Sequence, residues 1–68
     1  MSYVISRELS GTGLADKKYY SKFGQWTHDK FLAKHFDFHS DALDVVSTIP
    51  YEKAKNFVFD IEKDLQYA

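Results

Sequence analysis

The chain has no cysteine, and in 68 residues that absence constrains the fold more than any residue present. A domain of this size buries only about 60% of the surface that its unfolded chain exposes. Small domains commonly offset the shortfall with disulfides or thiolate-bound metals, and neither is open here. The alternative is a dense apolar core. The chain carries six Phe, five Tyr and one Trp, each able to bury ~150–250 Å². One domain with an aromatic-rich core is expected, with apolar surface left over for a partner.

The order of residues predicts α+β. "SYVISRE" is β-branched and aromatic, and reads as a strand. "LSGTGLAD" reads as a loop, with Gly11 and Gly13 supplying permissive dihedrals. "KKYYSKF" reads as a second strand, antiparallel to the first and broken by Gly24. In "HSDALDVVSTIP", Ser40 is placed to cap a helix, with Asp41 and Asp44 in its first turn. Ala42, Val45, Val46 and Ile49 then form one apolar stripe. Pro50 stops the ladder, so the helix is predicted over 40–49, and "YEKAK" can add one further turn. "NFVFDIEKD" alternates as a third strand, with Phe57, Phe59 and Ile61 on one side and Val58, Asp60, Glu62 and Asp64 on the other. The tail "LQYA" is expected to fray. The predicted architecture is a small three-stranded antiparallel sheet with one main helix packed on one face. Its core would hold Ile5, Phe36, Ala42, Val45, Val46, Ile49 and Phe59, with Trp26.

Composition excludes several classes. The start "MSYVISRELSG" lacks a basic segment followed by an apolar run. Unbroken apolar runs such as "YVI" and "FVF" are far short of the ~20 residues that a membrane span needs. No membrane association and a cytoplasmic setting are expected. Net charge is −1, but residues 1–35 carry six Lys/Arg against three acids, and residues 36–68 carry three Lys against seven acids. The halves can neutralise one another in the fold, or form a dipolar surface.

All three histidines fall in "WTHDKFLAKHFDFHS", where a continuous helix would put His28, His35 and His39 on one face. The alternation in "FDFH" argues for extended chain instead, which separates His35 from His39 by ~13 Å. Zinc ligands must converge to ~2.0–2.1 Å from one ion, so no metal site is expected. The glycine-containing loop has no G-K-S/T and no helix behind it, so it is no phosphate cradle. Ser40 and His39 are adjacent, and their side chains diverge. Asp41 and Asp44 are explained by the helix dipole. No catalytic residue and no cofactor site is predicted, and the chain is read as a non-enzyme.

Tyr3-Val4-Ile5, Tyr19-Tyr20, then Trp26-Thr27, Asp29, Ala33, Phe36, Ala42 and Ile49 form an ordered pattern. It resembles the small accessory proteins encoded by bacteriophages and prophages. The resemblance implies that residues 26–36 form a turn and a short strand that lead into the helix, with Trp26 packed beneath it. It also implies a non-enzymatic protein that binds a host or phage protein partner, as an inhibitor or modulator of a host enzyme or defence component, in the bacterial cytoplasm. Two candidate partner-binding surfaces stand out. One is the acidic stripe Asp60, Glu62 and Asp64, spaced ~6.6 Å apart along one strand face. The other is the aromatic group Tyr19, Tyr20 and Trp26. Self-association into a homodimer through Tyr19, Tyr20 and Phe23 is also expected. The alternative function is single-stranded nucleic-acid binding, with Lys17, Lys18, Lys22, Lys30 and Lys34 interleaved among the same aromatics. The sequence pI of about 6.2 weighs against it.

Overall fold

The computed structural model describes residues 2–9 and 17–64. The expected loop around Gly11 and Gly13 and the tail at 65–68 lie outside them. The described residues form strand β1 (Ser2–Leu9), strand β2 (Lys18–Tyr20), strand β3 (Trp26–Thr27), a 3₁₀ turn (Lys30–Leu32), helix α1 (His39–Ser47), short helix α2 (Tyr51–Ala54) and strand β4 (Phe57–Asp64). The sheet is antiparallel, in the order β3-β2-β1-β4.

The α+β expectation holds, but the sheet has four strands, not three. The added strand is made by a turn. Gly24 has φ +80°, a left-handed conformation that glycine adopts without steric penalty. The buried Ser21 pins the turn: its Oγ accepts from the backbone N–H of Phe23 (3.2 Å) and of Gln25 (3.0 Å). The reversal lays Trp26 opposite Tyr20 and Thr27 opposite Tyr19. Two residues are too few to show any alternation, so nothing local in "WT" announces a strand.

α1 begins at His39 and ends at Ser47. Ser40 is therefore inside the first turn and is not the cap. Phe38 holds that position, in extended conformation and without a side-chain cap bond. The reason is tertiary. Tyr3 and Phe36 exchange two backbone hydrogen bonds of 2.8 Å, which keep the chain extended through Phe36 and fix where it turns. At the other end, the hydroxyls of Ser47 and Thr48 donate to the carbonyls of Leu43 and Val45. Pro50 then caps α2, the further turn expected in "YEKAK".

Facing residues in a sheet share a side. Tyr3, Ile5, Arg7, Tyr20, Trp26, Phe57, Phe59 and Ile61 therefore occupy the face that α1 covers. The core there is Ile5, Phe36 and Ala42, with Tyr3, Tyr20, Trp26, Val45, Val46 and Ile61 packed against it. Ile49 lies outside this cluster, half-buried beyond the end of α1, and Phe59 reaches it through Trp26, at 5.7 Å between ring centroids. The opposite face holds Val4, fully buried, beside the buried Ser6, Ser21 and Ala33.

Candidate functional site

The three acids of β4 share a face, as their alternation requires, but not an environment. Asp60 is exposed. Glu62 is partly buried, and its Oε2 lies 2.7 Å from Lys17 Nζ. Burial pushes the Glu62 carboxyl up, but hydrogen bonds from Lys17 and Ser6 and the charges of Lys17 and Lys30 outweigh it. Its pKa therefore lies below the ordinary carboxylate value. The hydrogen bond to Glu62 in turn raises Lys17 above the usual lysine value. Asp64 is only 3% exposed, and its Oδ2 lies 3.2 Å from His35 Nε2, a hydrogen bond in the Nε2–H tautomer. The stripe is therefore one free-standing surface carboxylate, Asp60, followed by two acids engaged by basic partners from elsewhere in the chain.

Nor do the aromatics form one patch. Tyr19 and Tyr20 are neighbours in a strand and point to opposite faces. Tyr20 packs edge-on against Trp26 in the core, with ring centroids 5.6 Å apart. Tyr19 lies on the other face, in a row with Thr27, Ser6 and Asp60. The histidines also have separate surroundings. His28 is exposed, His35 meets Asp64, and His39 stands edge-on to Tyr3 at 5.6 Å. Among the described residues, no three His, Cys, Asp or Glu side chains gather where they could hold a metal ion. No helix among them is long and apolar enough to cross a membrane.

The most unusual surface lies where the 21–25 turn meets the 3₁₀ turn. Phe31 is 80% exposed and Phe23 71% exposed, with Leu32 beside them. Such exposure opposes the hydrophobic effect, yet the backbone beneath is tightly specified. Asp29 Oδ1 accepts from Phe31 N–H at 2.9 Å, and Thr27 Oγ1 accepts from Asp29 N–H at 3.1 Å. Lys22 N–H donates to the Leu32 carbonyl, and Ser21 bridges Ala33. The two turns are thereby tied side by side. The ammonium of Lys22 lies 5.6 Å from the Phe23 ring centre. Sequence reasoning passed over Phe31. Its signal was Asp29, an Asx cap two residues ahead of it.

A second feature is an open cleft of about 600 Å³ between the sheet and the end of α1, lined among others by Thr48, Ile49, Pro50 and Lys53. Arg7 also lines it, and its guanidinium lies against two rings, 4.5 Å from the Trp26 centre and 4.2 Å from that of Phe57. Cation–ring contacts of this kind contribute about 0.5–2 kcal/mol. Arg7 thus joins β1, β3 and β4 where α1 no longer covers them, a clamp on the fold. No family model, curated protein or solved structure matches this chain.

Proposed function

We propose that the chain is a non-enzymatic binding module for a protein partner, with Phe23, Phe31 and Leu32 as its contact residues. The observation that carries the reading is the pairing of exposure with order: two phenylalanines stand in solvent on turns pinned by Ser21 and Asp29. Aromatic side chains on a fixed backbone are efficient anchors, since they have few rotatable bonds to immobilise on binding. The resemblance to bacteriophage and prophage accessory proteins suggests a bacterial host or phage protein as the partner. The test is Phe23→Ser combined with Phe31→Ser. The melting temperature should stay within about 3 °C of the parent, while capture of a discrete partner from bacterial lysate is lost. Undiminished capture by the double variant overturns the reading.

One observation favours a second reading, single-stranded nucleic acid. Lys22, 5.6 Å from the ring centre of the exposed Phe23, places a cation next to an accessible aromatic ring. Titration with oligo-dT separates the two readings. Binding that weakens steeply with salt, and disappears in the same double variant, would favour nucleic acid over protein.

A further inference from the structure

The opposite margin of the sheet presents a different surface. β4 is an edge strand eight residues long, and every residue faces one of β1. The direction of its backbone groups follows from β1. Tyr3 directs both its N–H and its C=O at Phe36, on the side away from β4. Facing pairs in an antiparallel ladder alternate between hydrogen-bonded and non-bonded. Tyr3–Lys63 is thus a non-bonded pair, and so in turn are Ile5–Ile61, Arg7–Phe59 and Leu9–Phe57. The N–H and C=O groups of Phe57, Phe59, Ile61 and Lys63 therefore point outward. Among the described residues no strand lies beyond them, and no backbone hydrogen bond reaches them from outside the ladder. An open row of this kind is a template for an added strand.

The side chains along the edge say what such a strand would carry. On the helix side Phe59 and Ile61 are half-buried, each leaving apolar surface uncovered. On the other side Val58 is exposed, and next to it stands the exposed carboxylate of Asp60. The neighbouring Glu62 is already held by Lys17. A second copy of the chain fits poorly. When outward groups bond, the two self-pairing registers with the longest overlap put Asp60 opposite Asp60, or Asp60 opposite Glu62. Like charges directly opposite are destabilising.

We propose that the β4 edge takes an extended segment of a protein partner as a fifth strand. That segment is apolar at alternate positions, against Phe59 and Ile61, and carries a Lys or Arg between them that faces Asp60. The surface lies across the sheet from Phe23 and Phe31, so the proposal stands or falls separately from the one above.

The test uses the full chain and two synthetic capped heptapeptides, one alternating Val with Lys and one alternating Val with Glu. The Lys peptide should bind about tenfold more tightly. It should slow hydrogen exchange at the Phe59, Ile61 and Lys63 amides. Lys63→Pro removes one outward N–H and leaves the β1 ladder intact, as edge positions tolerate proline. It should weaken the Lys peptide about fivefold. Asp60→Lys, on an exposed side chain, should reverse the preference to the Glu peptide. Phe23→Ser should change none of these results. Equal binding of the two peptides, or protection confined to residues 21–32, overturns the proposal while leaving the aromatic tip untouched. Concentration-dependent dimers that protect the same β4 amides would overturn the choice of occupant in favour of a second copy.

Discussion

β1 has two flanks, and they are built differently. On one side β4 runs opposite it in eight consecutive pairs. On the other, two short pieces share the work: β2 faces Ser6 and Arg7, and Phe36 faces Tyr3. The long ladder needs little beyond alternation, because each added pair extends an existing register. The patchwork has no such run. It is held by side chains that replace strand pairing with local hydrogen bonds, Ser21 under one turn and Asp29 ahead of another. A continuous flank is specified by a pattern spread over many residues, a segmented flank by a few polar residues at single positions.

The largest effect should come from the residue that both flanks share. Ile5 is fully buried, faces Ile61 in the ladder, and belongs to the same cluster as Phe36. Ile5→Asp places an unpaired charge there, at a penalty of several kcal/mol, against a total stability of about 5 kcal/mol. Both flanks should be lost together, seen as the disappearance of a cooperative thermal transition. A variant that still melts cooperatively would mean that the flanks fold independently.

A smaller and one-sided loss is expected for Ser21→Ala. It removes two hydrogen bonds to backbone N–H groups beneath a buried position, at about 1–2 kcal/mol. Amide exchange should accelerate at Phe23 and Gln25, while the inward amides of Val58, Asp60 and Glu62 change little. Equal acceleration in both regions would erase the distinction drawn between the flanks.

The smallest effect concerns the tie across the ladder face. Glu62→Gln breaks the partly exposed pair with Lys17 and should cost about 0.5 kcal/mol near neutral pH. The Glu62 pKa is lowered in the folded chain. Its contribution is therefore complete above the unfolded value of about 4.5, and is lost as pH falls through the folded value. The raised Lys17 value works in reverse: its contribution is complete below about 10.5 and fades as pH rises beyond it. Melting curves of parent and variant should converge at low pH. A gap that persists well below the carboxylate range would show that the pair is not its source.

Much of the architecture could be read from residue order. The strands around Val4, Tyr19 and Phe59 follow from β-branched and aromatic runs, and the stripe Ala42, Val45, Val46 marks the buried side of α1. Gly24 and Pro50 do punctuate the chain through their own backbone, although β2 ends at Tyr20 and α1 at Ser47, each short of the predicted boundary. Other features were not legible. Ser40 has the chemistry of a cap, yet a bridge between Tyr3 and Phe36, 33 residues apart, starts the helix one residue earlier. β3 exists only because the turn at Ser21 and Gly24 returns Trp26 to Tyr20.

The acidic strand marks the same division most clearly. Its alternation placed Asp60, Glu62 and Asp64 on one side of the sheet, since successive side chains in a strand must point oppositely. Alternation is a rule about direction and carries nothing about neighbours. Lys17 and His35 come from distant parts of the chain to meet Glu62 and Asp64. Those meetings, which depend on three-dimensional packing, leave Asp60 as the one exposed carboxylate of the three. Hydrogen bonds and ion pairs act over a few ångströms, so the surroundings of each acid were decided by what the fold brought beside it.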